Sequence, residues 1–374
     1  MCNSIHFARW IQHLDPELHE VYVFNSSPGR PNHPRLTEIM QSKGFRWASS
    51  RKTNGILSFV IQRFSPFCPL SKSLAREIAT IQPSIVHAIE MRVSGYLFIP
   101  ILRRTRYFSG TSARVPKMLI TSYGSELHWF SKKRSHRSRI RKLLEDTDIL
   151  TTECERDART ARELGFRGKL KSFPATGGLH DESISRVKNA STQTRRAVIK
   201  GYLGTWGRAN KAIRFTRDIH KLKTGMISEV VVYSADFRVL PFVLLHRCLS
   251  DLPIRVLKRG MLNHNEMLEL FSSAFVYIGF SKTDGISTSM LEAMSQGAIP
   301  IQTNTACTDE WFKSGLSGFS IDLRNPNASL VPAVKALSDQ KWITKAVALN
   351  VSTIREKYAF SRIHEEVTNL YERS

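Results

Sequence analysis

Apolar residues in this chain gather into short runs of strand length, separated by stretches in which they recur every three or four positions. The runs VYVF (21–24), IVHA (85–88), MLITSY (118–123) and ILTTEC (149–154) form a first series, with helical spacing over 71–81, 132–144 and 155–164 between them. A second series holds AVIKGYL (197–203), EVVVYS (229–234), IRVLK (254–258), FVYIGF (275–280), AIPIQT (298–303) and FSID (319–322). Helical patterns separate these too, and a helical segment over 342–374 closes the chain. Strands alternating with helices predict parallel βαβ units. Residues 174–196 break the rhythm: they are polar, hold a Pro and two Gly, and carry few large apolar side chains. Such a stretch reads as an interdomain linker. The organisation expected is an α/β protein with an N-terminal Rossmann-like domain over 1–178, a linker over 179–196 and a second Rossmann-like domain over 197–350. Residues 351–374 would then form a C-terminal helix that crosses back to the first domain.

One element is missing from this pattern. A Rossmann domain opens on a central strand, a tight turn and a helix. Here Asn3 or Ser4 can cap a helix that continues over 5–14, and no strand precedes it. Either the natural start lies upstream of Met1, or the first sheet lacks its central strand. The second option leaves ladder groups unpaired and apolar surface exposed, which is costly, so the first is favoured.

Composition narrows the class. The chain has 374 residues, 41% of them hydrophobic, enough for two packed domains. No apolar stretch approaches the ~18 residues of a membrane span. The five cysteines, at 2, 68, 154, 248 and 307, show no CxxC spacing, which argues against a disulfide framework or a cysteine-based zinc site and for reducing cytosol. Charge is the outlier: 55 Lys+Arg against 32 Asp+Glu give +23. The excess is densest over 101–142, where twelve basic residues accompany one acidic residue, Glu126. A field of that sign attracts anionic lipid, phosphorylated ligands or nucleic acid.

The strongest chemical signal is SKTDGISTSMLEAMSQGAIP (281–300). Gly285, Ile286, Ser287 and Thr288 lead into a helix, so free backbone N–H groups and the positive end of the helix dipole meet at one point suited to a phosphate. Asp284 precedes that point and can accept from sugar hydroxyls. Glu292, two turns in, can accept from a ribose diol. The alternative is that Asp284 is a plain helix cap and Glu292 a solvated helix residue.

The segment resembles the family 4 retaining glycosyltransferases of GT-B fold. Their signature, an E-x7-E element followed by EAM-x-x-G-x-P and a later Glu, reads here as Asp284-x7-Glu292, then Glu292-Ala-Met-Ser-Gln-Gly297-Ala-Ile-Pro300, then Glu310. ITSYGSEL (120–127), ECERDARTARELGF (153–166), FPATGG (173–178) and KGYLGTWGRA (200–209) look like matching elements of a bacterial branch of that family. The resemblance implies two Rossmann-like domains whose parallel sheets face across a cleft. It places Asp284 on the donor sugar and Glu292 on the ribose, and asks for an Arg and a Lys on the diphosphate. Arg208 matches the Arg; Lys211 and Lys200 both match the Lys. The region 255–260 would hold the base. Two departures stand out: Asp replaces Glu at 284, and Tyr123 stands where the family often has a sugar-facing His. His6 and His87 are the remaining cleft candidates.

The co-substrate implied is a nucleotide-diphosphate sugar, with a hydroxyl acceptor that is a glycan, a lipid-linked molecule or a small molecule. No metal or other cofactor is expected, because Asp146-Thr-Asp148 lies between a helix and a strand and reads as a turn. Sugar C1–phosphate heterolysis would then rest on Arg208, a Lys and the helix N-terminus. The basic stretch from Lys132 through Lys142 reads either as a solvated helix face or as a contact with an anionic membrane, so the location expected is the cytoplasm, peripheral to the inner membrane face in the second case. No nucleic-acid partner is expected, since no zinc-finger, RRM or KH motif is present. The rival reading is a non-catalytic basic membrane- or nucleic-acid-binding protein on a degenerate GT-B scaffold; a sugar-nucleotide epimerase fits the 281–319 pattern poorly.

Overall fold

The computed structural model describes residues 5–26, 33–48, 69–101, 115–184, 194–204 and 206–372. The chain divides into two compact units: Met1–Gly178 with Ile363–Ser374, and Leu179–Arg362.

The first unit contains α1 (Ile5–Ile11), β1 (Tyr22–Val23), α2 (Pro34–Ser42), β2 (Arg46–Trp47), α3 (Pro69–Ile81), β3 (Ile85–Ile89), β4 (Lys117–Thr121), α4 (Ser125–His128), α5 (Arg134–Glu145), β5 (Ile149–Thr152), α6 (Glu155–Glu163) and β6 (Lys169–Ser172). β3, β4, β5 and β6 form a parallel sheet in that order, whereas β1 and β2 pair with each other as a separate parallel ribbon. Apolar Met118, Leu119 and Ile120 of β4 and Ile149 and Leu150 of β5 are buried on both faces, as parallel strands covered by helices require. Asp148 fixes the register there: its carboxylate accepts from the Met118 N–H at 2.7 Å and its own N–H donates to the Met118 carbonyl at 2.9 Å. Asp146 caps the end of α5.

The second unit contains β7 (Arg196–Lys200), α7 (Ala209–Leu222), β8 (Glu229–Ala235), α8 (Leu240–Leu249), β9 (Ile254–Lys258), α9 (His264–Ser272), β10 (Ala274–Gly279), α10 (Thr288–Ser295), β11 (Ile299–Thr303), β12 (Phe319–Ile321), α11 (Leu330–Ala336) and α12 (Gln340–Tyr358). Its six strands run parallel in the order β12-β11-β10-β7-β8-β9. This is the doubly wound arrangement, in which the strand order reverses between β10 and β7. Every residue of β10 is buried. α7 buries Ala209, Ala212, Ile213, Phe215, Thr216 and Ile219, the three-four spacing of a helix laid on a sheet.

The C-terminal segment departs from the expected single helix. α12 ends at Tyr358, Ala359 adopts extended backbone and pairs with Leu179, and α13 (Phe360–Glu372) follows. The return to the first unit begins at Ile363, so 351–358 stay with the second unit instead of joining a crossing helix. The Leu179 N–H donates to the Tyr358 carbonyl and the Phe360 N–H to the Leu179 carbonyl. These bonds draw 179–184 out of the expected linker into the second unit; 185–193 lie outside the described residues. The opening helix is also shorter than its sequence pattern, ending at Ile11.

Candidate functional site

In doubly wound sheets, ligands bind outside the carboxyl ends of the strands, where the strand order reverses. In the second unit that point lies between β7 and β10, and the sequence motifs fall on the two loops that leave it. The Arg208 N–H donates to the Phe280 carbonyl at 2.9 Å, and the Lys282 N–H donates to the Trp206 carbonyl at 2.7 Å. Gly207 is needed for this approach, since a Cβ there would sit 2.1 Å from the Tyr202 carbonyl oxygen. A Cβ on Gly201 would lie 2.6 Å from the Ala235 Cα.

The loop after β11 clamps the other side. Thr303 Oγ1 accepts from the Ser281 N–H at 3.0 Å, Thr305 Oγ1 donates to the Ser281 carbonyl at 2.7 Å, and the Asp284 N–H donates to the Thr305 carbonyl at 3.3 Å. Asp284 is half-buried and Gly285, Ile286 and Ser287 are buried. The loop thus delivers the chain to α10 in a fixed path. Ser287 is the N-cap, yet its side chain makes no capping bond; its hydroxyl lies 3.5 Å from that of Tyr277.

Glu292 sits two turns into α10 and is 2% exposed, with His264 Nδ1 3.9 Å from its Oε1. Burial pushes the Tyr277 hydroxyl up to about 12 and the Tyr233 hydroxyl well above its ordinary range. Two neutral phenols therefore accompany the carboxylate. Arg208 Nη1 donates to the carbonyls of Gly204 and Gly207, at 2.9 and 2.8 Å. Lys211 Nζ donates to the Leu323 carbonyl at 3.1 Å. Lys200 is exposed at the last position of β7. The structure thus gathers Arg208, Asp284 and the 285–288 turn on two interlocked loops, with Lys200 at the root of one of them.

In the first unit, polar side chains gather at the carboxyl ends of β3, β4 and β5. The Tyr123 ring lies 5.6 Å from that of His6, and its buried hydroxyl finds no hydrogen-bond partner among the described residues. Gly124, at φ 92°, turns the chain into α4, where Glu126 is 1% exposed and accepts from the Tyr123 N–H at 3.5 Å. Burial, reinforced by the charge of Glu90, holds the Glu126 carboxyl above the usual range. Glu90, itself at φ 80°, accepts from the backbone N–H groups of Arg92 and Val93. His87 is placed differently: Nδ1 is 2.7 Å from the Tyr371 hydroxyl and Nε2 is 2.8 Å from Thr121 Oγ1. Both its nitrogens are taken up inside the unit.

Sequence reasoning missed several of these groups. Thr303 and Thr305 in QTNT carry no motif. Tyr233 and Tyr277 are indistinguishable from core residues in their strand runs. Glu90 follows an apolar strand, and only its positive φ marks it.

No protein-family model matches the chain, and no curated protein matches it. Solved structures do. Anabaena HepE in complex with UDP-glucose superposes with a TM-score of 0.71 at 8% identity, covering 99% of this chain and 95% of that one. A glycosyltransferase from Rickettsia africae gives 0.69 at 12% identity, covering 99% and 93%. Sucrose-phosphate synthase from Thermosynechococcus elongatus gives 0.62 at 13% identity, covering 83% and 79%. The fold is therefore that of the GT-B glycosyltransferases.

Proposed function

We propose that the protein is a retaining glycosyltransferase that moves a sugar from a nucleotide-diphosphate sugar to a hydroxyl acceptor, without a bound metal ion. One observation carries the reading: at the reversal of strand order, two interlocked loops lead to the uncapped start of α10, and a buried carboxylate, Glu292, lies two turns inside it. That UDP-glucose is bound by a protein of this fold supports the same ligand class here.

In this reading the N–H groups at the start of α10 and its dipole receive the diphosphate. Arg208 and one of Lys200 or Lys211 add positive charge. Glu292 accepts from the ribose hydroxyls and Asp284 from the sugar. The C1–oxygen bond to the diphosphate breaks, and its electron pair leaves on the phosphate oxygen. The acceptor oxygen bonds to C1 on the same face and releases its proton to the departing phosphate. The chain contributes position and preorganised charge. Tyr123 and His6 are assigned to the acceptor side.

The partner surface proposed is α5 with its preceding turn. Lys132, Lys133, Arg134, Arg137, Arg139, Arg141 and Lys142 are all exposed, while Ile140, Leu143 and Leu144 face the core. A basic face of this kind suits an anionic membrane and a lipid-linked acceptor. No helix among the described residues is long and apolar enough to cross a membrane.

The test is thermal unfolding in EDTA with UDP, GDP or dTDP in excess. A ligand at ~100 times its Kd adds about 2.7 kcal/mol, so one of the three raises the midpoint by several degrees. A folded protein that responds to none of them overturns the reading.

A further inference from the structure

The second unit carries a helix that is apolar on the wrong side. A helix laid on a sheet turns its apolar residues inward and its charged ones to water, as α5 and α7 do. α8 follows this rule only on its inner side, where Val243 and His246 are buried and His246 Nε2 lies 3.0 Å from the Leu252 carbonyl. Its outer side is Leu240, Pro241, Leu244, Leu245, Cys248 and Leu249, all exposed. At 3.6 residues per turn these six cover about half the circumference of the helix. Arg247, the only Lys, Arg, Asp or Glu in α8, stands at the margin of that half.

The apolar surface does not stop at the helix. Phe237, 78% exposed, lies in the turn after β8, and Met261, 57% exposed, lies in the turn after β9. The two turns are neighbours: Ala235 pairs with Lys258 in register, and the Arg259 N–H donates to the Ala235 carbonyl at 3.3 Å. Six of the fourteen large apolar side chains exposed among the described residues thus fall between 237 and 261. Single exposed leucines need no explanation, whereas a patch of this kind marks an interaction surface.

Charge selects the occupant. Arg247, Arg255, Lys258 and Arg259 are exposed in the same segment. Its two acidic residues already have partners: Asp236 accepts from Arg238 Nε and Nη2 at 2.8 and 2.6 Å, and Asp251 pairs with His220 at 3.0 Å. A two-fold contact between copies would set these cations against themselves. An anionic bilayer takes both features at once, because apolar side chains enter the headgroup region while Lys and Arg meet the phosphates.

We propose that α8 and the turns beside it dock the second unit on an anionic bilayer. Phe237, Leu240, Leu244, Leu245 and Leu249 enter the headgroup region, and Arg247, Lys258 and Arg259 meet lipid phosphates. The surface is distinct from α5, which belongs to the first unit and exposes charge without large apolar side chains. Binding through α8 therefore survives salt that screens α5. The proposal does not depend on the nucleotide-sugar reading.

The experiment uses the full chain and vesicles of phosphatidylglycerol and phosphatidylcholine in equal parts. Wild type co-sediments with them and keeps most of its binding in about 1 M salt, where the Debye length is ~3 Å. The double variant Leu244→Ser, Leu245→Ser lowers partitioning roughly tenfold or more and leaves the Tm unchanged, because both side chains are exposed on the folded protein. In Phe237→Trp, brominated acyl chains quench the added indole, read as the difference from wild type. The proposal is overturned if the double variant binds like wild type or the added indole escapes quenching; binding that also vanishes in high salt then belongs to α5. It falls too if wild type ignores the vesicles. A dimer in sedimentation that the double variant dissolves would then make a second copy the occupant.

Discussion

The two units build parallel sheets from similar material and close them to different degrees. In the second, β7 and β10 lie at the centre of six continuous strands, and Ala197, Val198, Ile199, Val276 and Ile278 are fully buried. In the first, β3 is an edge among the described residues, and its Ile85, Val86 and His87 are only half-buried. A site assembled from loops inherits its precision from the strands beneath it. The Arg208 and Asp284 loops spring from the buried centre of one sheet, and the Thr305 loop leaves the strand beside it. The Tyr123, Glu126 and Glu90 cluster springs from strands near the open edge of the other.

The contrast can be broken most severely in the core. Ile278→Ala should cost about 2–5 kcal/mol in denaturant unfolding, and Ile85→Ala roughly half as much or less, because its side chain is only half-buried. Equal losses would mean that the two sheets are closed alike. Next in size is the donor site: Glu292→Ala should weaken nucleotide binding by roughly ten- to a hundredfold, the worth of a hydrogen bond to a charged group. Tyr123→Phe, in the other unit, should leave nucleotide affinity unchanged and lower turnover. Calorimetric titration against rate measurements separates the two.

Acid sharpens the difference further. Although the residue as a whole is half-buried, the His87 ring is held between Tyr371 and Thr121, and its loss of hydration lowers it to about 3 from an ordinary 6.5, so the folded first unit binds fewer protons there than the unfolded chain. Its contribution is complete above pH 6.5 and is lost as pH falls toward 3, with a slope of at most about 1.4 kcal/mol per pH unit. A pH series of unfolding midpoints should show this component in the wild type and not in His87→Gln. The smallest effect concerns the basic face: Arg137→Gln should reduce binding to anionic vesicles by about 1 kcal/mol or less in a co-sedimentation assay, and unchanged binding would make α5 a solvated face.

Legibility in the sequence followed burial. The central runs at β7, β8 and β10 are legible to within a few positions, because strands covered on both faces must be continuously apolar; IRVLK over 254–258, an edge strand with Arg255 and Lys258 exposed, is legible to the residue from its Ile, Val and Leu alone. β6, with the sequence KLKS, is half-buried throughout, and β2 is two exposed residues; neither carries an apolar run. The break at Ala359 has no Gly or Pro to announce it, since a backbone pairing with Leu179, distant in sequence, sets it. At the site, the Gly285–Thr288 turn and Glu292 were legible because helix entry and spacing are local. The threonine clamp from β11 and the packing of Tyr233 and Tyr277 around Glu292 depend on tertiary neighbours, which no local pattern encodes.

The return of the chain at Ile363 has a genetic consequence. The first unit is not one continuous stretch of codons: Tyr371, almost at the far end, bonds to Trp10 Nε1 at 2.9 Å and to His87 Nδ1 at 2.7 Å. A gene fragment ending at Gly178 would strip both partners of their hydroxyl and uncover the surface that Ile363, Val367 and Leu370 bury. Dissecting this protein therefore calls for splicing 363–374 onto the first half, whereas the second half, Leu179–Arg362, can be cut out whole.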